Sequence, residues 1–94
     1  MDKNICIIGL GYVGLTLAVA MAEKKFQIIG IEKNKNILNK LDKNQSHFFE
    51  PQIDNKIKKI KKMKLFKYFE TIPKNINCST YIITVGTPLN AYGK

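Results

Sequence analysis

Residues 8–20 read IGLGYVGLTLAVA, and Gly9, Gly11 and Gly14 fall in the pattern G-x-G-x-x-G. Just before them, NICIIG at 4–9 is a short apolar run ending in glycine, which predicts a strand buried on both faces. Just after them, residues 12–24 have the length and the Leu and Ala content of a helix. A strand, this glycine spacing and a helix form the context of a dinucleotide-binding turn. Each glycine has its own task there. Gly9 permits the tight turn off the strand, Gly11 lets a pyrophosphate approach bare backbone, and Gly14 lets the helix pack close. The amides near Tyr12 and Val13 then face the phosphates, and the helix dipole adds about half a positive charge. Val13, Leu15, Leu17, Val19 and Met21 surround the helix, which predicts cover on more than one side.

A second apolar run, QIIGIE at 27–32, ends in an acid eighteen residues after Gly14. Glu32 is placed to accept hydrogen bonds from the adenosine ribose hydroxyls. A carboxylate repels a 2′-phosphate, so the residues favour NAD over NADP; Lys33 and Lys35 pull the other way. The competing reading is a glycine turn that binds no nucleotide. The matched strand, helix and acid argue against it.

Ile37, Leu38 and Leu41 give residues 34–44 a one-sided helical stripe. NQSHFFEP at 44–51 is a polar-aromatic loop, in which Phe48 and Phe49 are expected to pack onto the core and His47 to be loop packing. Pro51 is expected to open the next helix, with Glu50 as its cap and Ile53, Ile57 and Ile60 as its buried stripe. LFKYF at 65–69 and TYIITV at 80–85 predict two further strands, and TIPKNIN at 71–77 fits one helical turn or a loop. Residues 86–94, GTPLNAYGK, have turn chemistry.

Strands alternating with helices give an α/β class: a Rossmann-type, doubly wound parallel sheet of about four strands in the order 3-2-1-4. Residues 1–94 form one domain, the first half of such a fold and the beginning of the second. An Ile- and Val-rich strand left at the sheet edge would be sticky, so the natural sequence is expected to continue past Lys94.

The formal charge of +9 raises the question of nucleic acid. All sixteen basic residues are Lys and none is Arg, whereas base reading leans on the Arg fork. The densest run, KIKKIKKMK at 56–64, fits the solvated face of a helix. No nucleic-acid partner is expected. No apolar run approaches the ~18 residues that cross a bilayer, and MDKNICIIG is not a basic leader with a cleavage site. A cytoplasmic protein without a membrane partner is the expectation. Cys6 and Cys78 are read as reduced, partly buried thiols. No metal site and no catalytic residue is assigned within the chain.

IIGLGYVGL at 7–15 resembles the opening of the UDP-glucose/GDP-mannose dehydrogenase family, which includes UDP-N-acetylmannosamine dehydrogenases. SHFFEP at 46–51 resembles the family's loop before Glu-Pro, and ITVGTPLN at 83–90 its strand-end V-[GP]-T-P. The resemblance spans nearly the whole chain. It implies oxidation of the C6 alcohol of a UDP-sugar to a carboxylate in two hydride transfers to NAD. It implies cofactor contacts from Gly9, Gly11, Tyr12, Val13, Gly14, Glu32, Val85, Gly86 and Thr87, with Thr87 near the pyrophosphate or the nicotinamide-side ribose. It also implies that the family's catalytic Cys, Lys and Asn, its dimer-building helix and its sugar-nucleotide domain lie beyond residue 94. The fragment alone would then be inactive, and the full-length enzyme a homodimer. The chain departs from the family at Ile37, where many members carry a basic residue, and at Glu32, where most have Asp. Hydroxyacyl-CoA and 6-phosphogluconate dehydrogenases also begin with such a turn, but GYVG, HFFEP and VGTP argue against them. A non-enzymatic nucleotide-binding module is the alternative from another class.

Overall fold

The computed structural model describes residues 4–84. Within them run β1 (Asn4–Ile8), α1 (Tyr12–Glu23), β2 (Gln27–Ile31), α2 (Lys35–Asp42), α3 (Ile53–Lys62), β3 (Phe66–Phe69) and β4 (Cys78–Ile83). The strands form one parallel sheet in the order β3-β2-β1-β4, as the alternation of apolar runs and helical stripes predicts. β1 lies in the middle, with Ile8 opposite Ile31 of β2 and Ile83 of β4.

The main core lies between the sheet and α1 and α3. Ile5, Ile7, Ile28 and Phe66 from the strands meet Leu15, Ala18, Val19 and Ala22 of α1 and Ile53, Ile57 and Ile60 of α3. Burial on α1 falls at 14, 15, 18, 19 and 22, one stripe at helical spacing. Cover on further sides is partial: Leu17 and Met21 are half-buried against the core, while Val13 is 63% exposed. On α3 the isoleucines point inward and the lysines outward, as their spacing requires. Lys61 reaches back to donate to the Leu41 carbonyl at 2.7 Å, placing a cation at the C-terminal end of α2. The other sheet face carries a smaller cluster of Cys6, Ile29 and Ile31, joined by Ile8, Phe69, Ile76 and Cys78. Residues 71–77 contain no helix and supply Ile76 to that face.

Four local readings change. α3 begins at Ile53, not at Pro51, because Gln52 takes a left-handed backbone (φ 65°) and breaks the helical path right after the proline. Glu50 does not cap the helix with its side chain; only its backbone carbonyl accepts from the Ile53 N–H, at 3.1 Å. Phe49 is 92% exposed and does not join the core, whereas Phe48 packs at its edge. β4 begins two residues earlier than its apolar run, with a bulge where Asn4 pairs with Cys78 and Ile5 with Thr80.

The two thiols, distant in sequence, meet across β1 and β4. Burial pushes the Cys6 thiol up to about 11, with the neighbouring Cys78 adding to the shift. Cys6 is therefore a neutral thiol at physiological pH and a poor nucleophile. In the loop before α3, His47 packs edge-on against Phe48 at 4.8 Å, and its Nδ1 is buried with no hydrogen-bond partner among the described residues. Burial lowers the His47 pKa; the Glu32 charge opposes that and Lys40 adds to it.

Replacing Ile57 by Ala should lower the unfolding free energy by about 2–5 kcal/mol, against about 0.5 kcal/mol or less for the exposed Lys58→Ala. Urea denaturation of both variants checks the inward stripe, and equal losses would refute it. The lowered His47 pKa means that the folded chain binds fewer protons than the unfolded one, so stability falls as pH drops through about 6.5. Denaturation midpoints at pH 7.5 and 5.5 should converge in His47→Gln; an unchanged pH difference would rule out His47 as its source.

Candidate functional site

The site lies where the carboxyl ends of β1, β2 and β4 meet the amino end of α1. Gly9 turns the chain with φ at 98°, a backbone conformation that side chains strongly disfavour. A Cβ there would also run into the Thr84 carbonyl. Gly14 sits directly above: its missing Cβ leaves room for the Gly9 carbonyl, with the Thr84 hydroxyl 2.6 Å from where that Cβ would be. Helix and turn approach this closely only because position 14 has no side chain. At Gly11 a Cβ would meet nothing within 4 Å. That opening lies beside the first turn of α1, whose N–H groups have no partner inside the helix.

Both neighbouring strands hold the turn. The Gly9 N–H donates to the Ile31 carbonyl at 2.8 Å. The Leu10 N–H donates to Glu32 Oε1 at 2.7 Å. From the β4 side, the Thr84 hydroxyl donates to the Gly9 carbonyl at 2.7 Å, and the Thr84 N–H donates to the Ile8 carbonyl at 2.8 Å. The Leu10 side chain is fully buried against Gly30, where an added Cβ would lie 2.7 Å from Leu10 Cδ1.

The second Glu32 oxygen accepts from the Asn34 N–H at 2.9 Å. Asn34 in turn caps α2 through Oδ1, which accepts from Asn36 N–H at 2.9 Å. A carboxylate offers about four lone-pair sites. Two are engaged with backbone, and the remaining two suit a vicinal diol. Beside Glu32 opens a cleft of about 390 Å³, walled by Ile31, Ile37 and Ile83 and floored by Gly9 and Gly11. Its apolar walls, one acid, one cation (Lys33) and nearby bare amides have the chemistry of a dinucleotide's base, ribose and phosphates.

Tyr12 is 56% exposed at the lip of the site. Its ring packs edge-on against Phe48 at 4.8 Å, and its hydroxyl lies 3.5 Å from the Glu50 carboxylate. The structure thus brings Gly9, Gly11, Tyr12, Val13, Gly14 and Glu32 to one end of the sheet. Val85, Gly86 and Thr87 lie outside the described residues. Sequence reasoning missed Thr84, read as a β-former, and missed Leu10 and Gly30. A glycine inside an apolar strand, as in QIIGIE, is the one mark that pointed to a close approach there.

Residues 3–94 match the model of the UDP-glucose/GDP-mannose dehydrogenase family, NAD binding domain. Among the curated relatives, the UDP-N-acetyl-D-mannosamine dehydrogenase of Pyrococcus horikoshii is 28% identical over 87 residues, 93% of this chain and 21% of that protein. The UDP-N-acetyl-D-glucosamine 6-dehydrogenase of Salmonella typhi is 35% identical over 91 residues, 97% of this chain and 20% of that protein. The chain thus spans about a fifth of the length of these relatives. The solved structure of the P. horikoshii UDP-D-ManNAc dehydrogenase superposes with a TM-score of 0.83 at 27% identity, over 92% of this chain and 21% of that one. A GDP-mannose dehydrogenase from Pseudomonas aeruginosa shares the fold, with a TM-score of 0.81 at 24% identity over 89% of this chain and 20% of that one. Glycine turn, acid-ended second strand and parallel sheet order agree with these matches: the chain belongs to the UDP-glucose/GDP-mannose dehydrogenase family and corresponds to its NAD-binding domain.

Proposed function

We propose that this chain supplies the cofactor half of a nucleotide-sugar dehydrogenase that oxidises the C6 alcohol of a UDP-sugar to a carboxylate with two NAD. The observation that carries this reading is the cleft in which bare turn amides, a diol-matched carboxylate and apolar walls converge. NAD, when bound, supplies the hydride acceptor. The chain's own residues bind and orient it. First-turn amides at Tyr12 and Val13 and the α1 dipole neutralise the diphosphate, Gly11 leaves room for its approach, and Gly9 and Gly14 fix the turn. The two free acceptor sites of Glu32 take the adenosine ribose hydroxyls, and Ile37 and Ile83 flank the adenine. Val85, Gly86 and Thr87 would complete the site on the nicotinamide side, on the strength of the family resemblance.

Catalytic residues and the sugar-binding part belong to sequence other than these 94 residues. The family resemblance supports that, and the length of the relatives is consistent with it. The names of several relatives favour an N-acetylated UDP-hexosamine as the substrate. A homodimeric, cytoplasmic enzyme is carried over from the resemblance alone. No nucleic-acid or membrane partner is proposed.

Calorimetric titration should give weak binding of NAD and weaker binding of NADP; equal affinities would remove the ribose role from Glu32. Gly11→Val should abolish NAD binding while leaving the urea midpoint nearly unchanged, because its side chain projects into open space. Gly14→Ala should instead cost about 1–3 kcal/mol of stability through overpacking against the Gly9 carbonyl. The reverse pattern would place the cofactor elsewhere.

A further inference from the structure

We propose that Glu32 is also a positioning residue. Its carboxylate sets the shape of the glycine turn before any cofactor arrives, so the phosphate end of the site depends on a side chain that does not touch phosphate. The inference rests on the cofactor reading above only for the identity of that phosphate. The Leu10 N–H belongs to the residue between the first two glycines, and its acceptor is a side chain rather than backbone. That contact is part-buried and short, at 2.7 Å. Leu10 is anchored on its other side, with its side chain fully buried over Gly30. Gly9 is held by Ile31 and Thr84. With all of these in place, the Gly9–Leu10 peptide has one orientation, and the following peptide presents the open position at Gly11.

Removing the carboxylate strands a part-buried donor. The turn then regains rotational freedom that a ligand must freeze out, and affinity falls for want of preorganisation. The carboxylate's other oxygen restrains Asn34, so one side chain ties the β1–α1 turn to the cap of α2. Glu spans both amides at once.

Two effects of Glu32 on a bare diphosphate have opposite signs. Its charge repels the anion, so deletion by charge alone would tighten binding. Its brace organises the amides, so deletion loosens binding. Inorganic pyrophosphate, which lacks a ribose, isolates this contest. Amide hydrogen exchange on the ligand-free chain should show Leu10 exchanging at least about tenfold faster in Glu32→Ala, while the Ile28 amide, held by the Leu65 carbonyl, keeps its rate. Glu32→Gln, which retains one carbonyl oxygen, should lie between and guards against a folding defect in the alanine variant. Pyrophosphate titrated by NMR should bind more weakly to Glu32→Ala than to the parent chain. Unchanged Leu10 exchange, or pyrophosphate binding that is equal or tighter, overturns the brace. Leu10 protection that depends on Glu32 in a chain that fails to bind NAD upholds the brace and overturns the cofactor reading instead.

Discussion

The constraint on which the molecule depends is the contact between Gly14 and the Gly9 carbonyl. A buried strand must hand over to a helix within a few residues, and the helix must start almost on top of the strand's last peptide. No side chain fits between them. Once this approach is made, α1 lies flat against β1 and β2, its stripe of 15, 18, 19 and 22 meets the sheet, and α3 closes over it. The helix end that points into the cleft is fixed by the same contact. Fold and site therefore share one close approach, and a binding surface follows from a packing requirement.

Charge is arranged around this point with some economy. The chain carries +9 overall, yet among the described residues only one lysine, Lys33, lines the cleft, beside Glu32 and the glycine turn. The carboxylate nearest the turn is held by two backbone donors, which set its orientation. The lysines serve elsewhere: Lys61 on the α2 carbonyl end, others along the outer face of α3. The densest basic stretch of the chain is thus the outer face of one helix, α3.

Much of this was legible in the residues. The glycine spacing, the apolar run before it and the acid at 32 marked out the candidate site, because each rests on a local backbone requirement, and the alternation of strands and helices gave the sheet order. The stripe of Ile53, Ile57 and Ile60 gave α3 its buried face. What failed depended on contacts distant in sequence or on a single dihedral. Pro51 looked like a helix opener, and only the left-handed Gln52 shows why it is not. Phe48 and Phe49 both looked like residues that pack the loop onto the core, and only Phe48 does. Thr84 looked like a strand-former, and its tie to a carbonyl 75 positions away leaves no local trace. Glu32 was assigned to a ligand, while its grip on Leu10 across 22 positions was invisible.

The bulge at the far end of β4 decides what stands beside the turn. From Cys78 opposite Asn4 the strand gains one residue, so that Thr80 faces Ile5 and Ile83 faces Ile8. The next residue, Thr84, then arrives level with Gly9. Without that extra unit the strand would run one step ahead, and a hydrocarbon side chain, that of Ile83, would come level with the glycine carbonyl. An irregularity some five rungs away thus sets the parity of the ladder, and with it whether the turn meets a hydroxyl or a wall of methyl groups.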